Sequence, residues 1–458
     1  MFQANLPNTL LNLLDELIFA KTGQHLDYLQ KTILQGTLEG YKYSEVAKES
    51  HLSEGHIRDS ASELWKILSE VLGEDITKSN IRAVLKKHSF INNNMGRDLV
   101  SFNNVHICDH NPFSLKNNNH PSEILRDQPY LDLGHIPEIT QFYGRIAELN
   151  TLETWIVAEK YRLVTVLGLK RIGKTTLSLK LVDKIKDNFN YVIRRSLYFC
   201  PKLDQLLSEI LPSINPQLKL SQSLDKKLNL FLELIKSHRC LIILDDLQSL
   251  FDSKKLAGNY QKEYQDYQLF FQSIAEVNHQ SCLLLLSQEK PIDTTFYGQK
   301  NKFIKTLIVE GLGEDAIEIL RHHNLLNEDS WKTLIKCYQG HPLWLELVAS
   351  FIQEMFLGKV ADFLKIKYPI AEETLEHNLL SILEPLTESE KLMLTEFANL
   401  NQPISIKEMM DQTSLDYTDS LKVIQSLIRR IIVAKDENAL LCLNPVFKAY
   451  VINHQIYI

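Results

Sequence analysis

The chain has 458 residues, 50 Lys+Arg against 57 Asp+Glu and a formal charge of -7, with 44% hydrophobic and 23% charged residues. These values exclude global disorder, a collagen repeat and a disulfide-stapled miniprotein, and they leave no overall basic field for nucleic acid or a membrane surface. The length fits about three domains, and six cysteines without CxxC spacing fit a reduced, cytoplasmic setting.

Residues 1–88 carry helical periodicity. Leu10, Leu13, Leu14, Leu17 and Ile18 form one apolar stripe, and Leu64, Ile67, Leu68, Val71 and Leu72 form a second. Asp15 and Glu16 interrupt the early stripe and no basic segment precedes it, so no secretory signal is expected. Apolar runs such as Cys240–Leu244 are far shorter than the roughly 18 residues that span a bilayer, so no membrane association is expected. Tyr43-Ser-Glu-Val-Ala47, a short break, Ser53 as helix cap and a helix through Leu72 read as a helix-turn-helix. Residues 1–88 hold 10 Lys+Arg against 12 Asp+Glu, a net charge of -2. On the leading helix Ser53, His56 and Arg58 would reach base edges, but Glu54, Asp59 and Glu63 would repel phosphates. DNA readers carry a basic footprint, so a helical adaptor is preferred over a DNA reader, with the apolar stripes as the surface a partner would cover. Residues 89–129 gather Asn and Pro, including Asn92-Asn-Asn94, Asn117-Asn-Asn119, Pro112 and Pro121, and read as a linker.

Across 130–310 short apolar runs alternate with amphipathic stretches, the pattern of a parallel sheet covered by helices. The predicted strands are Leu163–Leu167, Tyr191–Phe199, Leu241–Leu244, Cys282–Leu286 and Thr306–Val309. Between the first strand and the helix opening at Thr176 lies Gly168-Leu-Lys-Arg-Ile-Gly173-Lys174-Thr175, a complete GxxxxGK[ST]. Backbone N–H groups from Gly168 through Ile172, Gly173 and Thr176 would surround a phosphate at the helix N-terminus. Lys174 would reach the β and γ phosphates of ATP, and the Thr175 hydroxyl would ligate Mg²⁺. Downstream, Leu241-Ile-Ile-Leu-Asp245-Asp246 ends a strand in two carboxylates. Asp245 would hold the metal through water, and Asp246 is the candidate catalytic base.

Residues 311–375 read as a helical domain. Residues 376–458 end in a helix to about Arg430 and a hairpin, Ile431–Ala434 and Leu440–Leu443 around Asp436-Glu-Asn438, which is the winged-helix pattern. The fold expected is therefore multidomain: an α-helical helix-turn-helix module, an α/β parallel-sheet P-loop NTPase domain, a helical domain and a winged helix.

Phe142-Tyr-Gly-Arg145, the P-loop, Asp245-Asp246, Ser281–Pro291 and Gly340-His-Pro342-Leu343 occur in a fixed order. That ordered set resembles the NB-ARC class of signal-transduction ATPases with numerous domains, over about residues 130–458. The resemblance implies a switch that closes over ADP, exchanges it for ATP and self-associates when ATP-bound. It places Arg145 by the adenine end and Pro342 against the base. Residues 1–88, with the Glu63–Lys66 stretch, resemble the helix-turn-helix of von Willebrand factor A-associated bacterial proteins.

Three features depart from the pattern. Lys170 and Arg171 stand where Gly is usual. A positive φ there costs about 1 to 3 kcal/mol, and the long cations either crowd the phosphate or add charge beside it. Gln288 stands where relatives carry an Arg that reads the γ phosphate, which implies slow hydrolysis. Leu443-Asn444-Pro445-Val446 occupies the stretch that carries a phosphate-touching His in immune receptors, so that contact is absent or passes to Asn444. Relatives usually continue into a propeller or solenoid sensor, whereas this sequence ends at Ile458. A separate sensor or effector, or the N-terminal module itself, is the implied partner.

Overall fold

The computed structural model describes residues 26, 28–39, 43–49, 54–72, 75–78, 80–81, 129–134, 136, 139, 141–218, 223–292, 302–366 and 372–454. They form two compact units, the N-terminal helices in one and residues 129–134 with everything from residue 139 onward in the other.

The N-terminal unit contains α1 (Tyr28–Glu39), α2 (Tyr43–Glu49) and α3 (Glu54–Leu72). Ile33, Leu34, Val46, Ile57, Leu64, Trp65 and Leu68 close into one core. The Trp65 indole donates to the Tyr43 hydroxyl at 2.9 Å, so its polar edge is satisfied as its rings are buried. This corrects one expectation. Leu64 and Leu68 are fully buried inside the module's own core, so this part of the second stripe is not a surface left for a partner. Leu10–Ile18, the Ser53 cap and nearly all of the 89–129 segment lie outside the described residues.

In the second unit a six-stranded sheet runs β1 (Tyr130–Asp132), β3 (Tyr191–Ser196), β4 (Cys240–Asp245), β5 (Cys282–Ser287), β2 (Leu163–Leu167), β6 (Ile304–Ile308) from edge to edge. Every pairing is parallel. Parallel strands are covered on both faces, so they read as continuous apolar runs. Alternate residues serve opposite faces. Val164, Val166, Ile243 and Leu284 pack under α4 (Ile146–Glu153) and α5 (Lys174–Ile185). Leu163, Ile242, Leu244 and Leu285 pack under α6 (Leu203–Ile214), α7 (Leu224–Ser237) and α8 (Asp266–Glu276). β1 was not among the predicted strands, because three residues are too few to show a period. Ion pairing of Asp132 with Arg195 at 2.7 Å ties it to β3. β3 is shorter than predicted: the Leu197 N–H turns to the Asp245 carbonyl at 2.8 Å, and Cys200 takes a positive φ of 50°.

The C-terminal region is helical: α9 (Ile317–His322), α10 (Trp331–Cys337), α11 (Pro342–Phe356), α12 (Glu373–Leu383), α13 (Glu388–Asn399), α14 (Ile406–Gln412), α15 (Tyr417–Arg429) and α16 (Pro445–His454). Thr387 and Ser405 begin α13 and α14 with capping boxes to Glu390 and Glu408. An antiparallel hairpin, β7 (Val433–Lys435) and β8 (Leu441–Leu443), follows α15. It starts two residues later than predicted because Ile431, at φ 61°, closes the helix through its N–H to the Ile428 carbonyl. The core of this region centres on Tyr338, Trp344, Met393 and Phe447, and it takes in Leu169 from the loop after β2.

Candidate nucleotide site

The glycine-rich segment lies where the sequence places it, between β2 and α5. The chain leaves β2 with the Gly168 N–H on the Ser287 carbonyl at 3.2 Å and enters α5 through Gly173, whose φ of 103° suits glycine. A Cβ on Gly168 would stand 2.9 Å from the Val309 carbonyl, so close backbone passage demands glycine there as well. Of the two unusual loop residues, Arg171 is left-handed at φ 62°, whereas Lys170 is absent from the positive-φ residues. The strain expected for a side chain in this loop therefore falls on Arg171.

The Lys174 ammonium donates to the carbonyls of Gly168 and Leu169, each at 3.0 Å, which centres it within the loop. Burial pushes it down to about 8, against the pull of Asp245 and Asp246. The Thr175 hydroxyl donates to Asp245 Oδ2 at 2.8 Å. One strand, β5, separates the strand of the loop from the strand of the acids. The Asp246 N–H donates to Asp245 Oδ1 at 2.9 Å, and Asp246 itself is left-handed at φ 62°. Its carboxylate accepts from Ser196 Oγ and Gln248 Nε2, both at 3.1 Å. Burial, then the neighbouring Asp245, raise the Asp246 carboxyl above the usual range, against those two hydrogen bonds and Lys174. A carboxylate displaced upward suits proton uptake.

The remaining predicted positions fall around this loop. Arg145, buried and left-handed before α4, donates to the Ile172 carbonyl at 3.1 Å and pairs with Glu148 at 2.8 Å. Gln288 sits past the end of β5, its N–H on Gln248 Oε1 at 3.1 Å, which joins it to the residue holding Asp246. Thr176 lies in the first turn of α5. Pro342 is the first residue of α11, half-buried, and brings its neighbour His341 onto the loop.

Sequence reasoning missed two contributors, and it left the partner of a third, Lys170, unnamed. His341 caps α11, and its Nε2 meets the Lys170 carbonyl at 3.1 Å. The carbonyl can only accept, so Nε2 carries the proton and Nδ1 accepts from the Trp344 N–H at 3.4 Å. Burial pushes this imidazole down to about 3, which keeps it neutral. Arg194, inside β3, pairs with Asp245 Oδ2 at 2.6 Å. A cation directly after the apolar Val192-Ile193 pair of a central strand requires a buried acid, and that was the available signal. Lys170 donates to Ser381 Oγ of α12 at 3.0 Å, so the loop's extra cation is engaged by the helical region.

Hard oxygen donors at Thr175 and Asp245 have the chemistry that Mg²⁺ accepts. With the loop amides and Lys174 they offer the donors and charge that a nucleotide's phosphates would need. A phosphate-loop strand with its following helix, and an acid strand with one strand between the two, define a P-loop NTPase domain.

Comparison with known proteins agrees. Residues 142–289 match an ATPase domain family found predominantly in Archaea, and residues 7–88 match the vWA-MoxR associated protein N-terminal HTH family. The chain thus joins a helix-turn-helix of the vWA-MoxR-associated type to a P-loop ATPase domain. It is 33% identical over 345 residues to an uncharacterized WD repeat-containing protein of Nostoc sp., covering 72% of this chain and 27% of that protein. It is 24% identical over 242 residues to the ToMV resistance protein Tm-2(2) of Solanum lycopersicum, covering 49% of this chain and 27% of that one. It therefore spans about a quarter of each relative. Among solved structures, a Walker-type ATPase of Pyrococcus abyssi aligns at a TM-score of 0.47 and 14% identity, over 68% of this chain and 96% of that one. A signal-transduction ATPase with a tetratricopeptide repeat sensor from Pyrococcus horikoshii aligns at 0.36 and 18% identity, over 69% and 43%. Among the described residues, no helix is long and apolar enough to cross a membrane.

Proposed function

We propose that this chain is an ADP/ATP-binding regulatory switch of the signal-transduction ATPase type with slow ATP hydrolysis. Its nucleotide would lie against Gly168–Thr176, with Lys174 on the terminal phosphates and Thr175 and Asp245 as the residues that would hold Mg²⁺. When bound, the metal would offset the charge of the phosphates. Asp246 would accept the proton of the attacking water, poised by its burial beside Asp245.

The observation that carries the switch reading is the bond between the phosphate loop and the helical region. His341 holds the Lys170 carbonyl and Ser381 holds the Lys170 ammonium, so a change at the phosphates is felt directly by α11 and α12. In this reading 130–310 form the nucleotide domain, 311–375 a helical domain and 376–458 a winged helix. Exchange of ADP for ATP would loosen the closed form and expose surfaces for self-association, with the N-terminal module, at net charge -2, acting on a protein partner in the cytoplasm. Identifying the nucleotide that copurifies with the full chain tests the reading. ADP or ATP lost on Lys174→Ala supports it. A nucleotide-stripped protein whose melting temperature ignores both ADP and ATP overturns it, since ligand at 100 times its Kd would stabilise by about 2.7 kcal/mol.

A further inference from the structure

Asp245 is the acid that Mg²⁺ would need, yet it already has a cation. Arg194 and Ser196 lie on β3, in register with Ile243 and Asp245 of β4. The Arg194 guanidinium reaches forward from that register to Asp245 Oδ2 at 2.6 Å, and the two side chains keep only 9% and 4% of their exposure. The same oxygen accepts from Thr175 at 2.8 Å, and Oδ1 accepts from the Asp246 N–H at 2.9 Å. Both oxygens of the carboxylate are thus engaged, one of them by a permanent positive charge.

We propose that Arg194 makes nucleotide binding at this site largely independent of Mg²⁺. The inference rests on the nucleotide reading above and goes beyond it. Mg²⁺ gives up its water reluctantly and is drawn to phosphate sites by the full charge of a protein carboxylate. Here that charge is offset from within the fold, and an incoming divalent ion meets a like charge beside its ligand. Screening by solvent is weak because the pair is buried. The positive charge that the phosphates need would come instead from the loop itself, where the Lys174 ammonium is centred. Arg194 acts on the metal through Asp245 and is a positioning residue.

The test is binding of a fluorescent ADP analogue to nucleotide-stripped full chain, in EDTA and in millimolar Mg²⁺, with Mn²⁺ titration of the ADP complex followed by electron paramagnetic resonance. Wild type should change its ADP affinity less than about threefold on adding metal, and Arg194→Met should acquire at least about tenfold metal dependence with tighter Mn²⁺ binding. Arg194→Lys, which keeps the charge, should stay near wild type. Strong Mg²⁺ dependence in wild type, or Arg194→Lys behaving like Arg194→Met, overturns the proposal. The wild-type measurement decides even if Arg194→Met does not fold. Absence of ADP binding under every condition would instead overturn the nucleotide reading.

Discussion

Arg430, at the end of α15, and Glu289, just past β5, share a buried ion pair that fastens the C-terminal helices to the edge of the nucleotide site. Arg430 also pairs with the fully buried Glu390 at 2.8 Å and donates to the Lys255 carbonyl at 3.1 Å. Beside it the Lys290 N–H donates to the Arg429 carbonyl at 3.0 Å, and the Ala257 N–H to Ser426 Oγ at 2.7 Å. One guanidinium serves two carboxylates. Burial raises the Glu289 carboxyl, and Glu390 adds to that, against the pull of Arg430.

Removing the shared cation should therefore cost far more than removing one acid. Arg430→Met leaves two carboxylates buried without their partner and should destabilise by about 3 to 5 kcal/mol. Glu289→Gln keeps an acceptor for the Gly258 N–H, relieves the excess charge and should cost under about 1 kcal/mol. Denaturant unfolding of both variants checks the order, and equal losses would contradict the shared-cation account.

Nucleotide affinity should fall as pH rises above 8. Lys174, lowered to about 8 by burial, is charged below that value and loses its charge above it. A bound phosphate would raise this value again, so binding above pH 8 takes up a proton. Calorimetry in two buffers of different ionisation heat reads that uptake directly, and Lys174→Ala should abolish it.

His341 gives the opposite kind of pH effect. Its folded value of about 3 lies below the ordinary 6.5, so the unfolded chain binds a proton first as pH falls. Its contribution to stability is fully present above 6.5 and is lost at about 1.4 kcal/mol per pH unit as pH falls toward 3. Between pH 6.5 and 5, above most carboxylate titrations, His341→Asn should flatten the slope of unfolding free energy by close to one proton.

Asp246→Asn should slow ATP turnover about a hundredfold or more, the scale of a lost general base, while ADP affinity stays within a few-fold. Single-turnover hydrolysis with bound ATP separates the two. Turnover that ignores the substitution would remove Asp246 from the chemistry.

For the N-terminal module the expected result is weak, unselective DNA binding by the full chain, falling steeply with salt. Arg58 is exposed on α3 and offers the discriminating variant. Sequence-selective nanomolar binding lost on Arg58→Ala would make DNA, and not a protein, the module's partner.

The parts of this architecture that could be read in advance are those with a period or a fixed spacing. β4 and β5 were marked by unbroken apolar runs and β2 by a run broken only at Thr165, and the loop from Gly168 to Thr175 by its glycine and lysine spacing. Legibility failed where a role depends on partners distant in sequence. His341 could be seen in its motif, but its bond to a carbonyl 171 positions away could not. Arg194 stood in plain view within a strand, yet only the neighbouring strand's register shows which acid it meets. β1 and the hairpin ends were lost to shortness and to local turn geometry, which no hydrophobic pattern encodes.

Lys170 is held twice, its carbonyl by His341 and its ammonium by Ser381, at the point where the loop wraps the phosphate position. Opening the loop means breaking both bonds, and both lie in the helical region. The residence time of a bound nucleotide would then be governed from α11 and α12 more than from contacts to the phosphates themselves. The protein would keep time by how long those two helices hold still, and a signal that tugs on them would set the exit rate without touching the ligand.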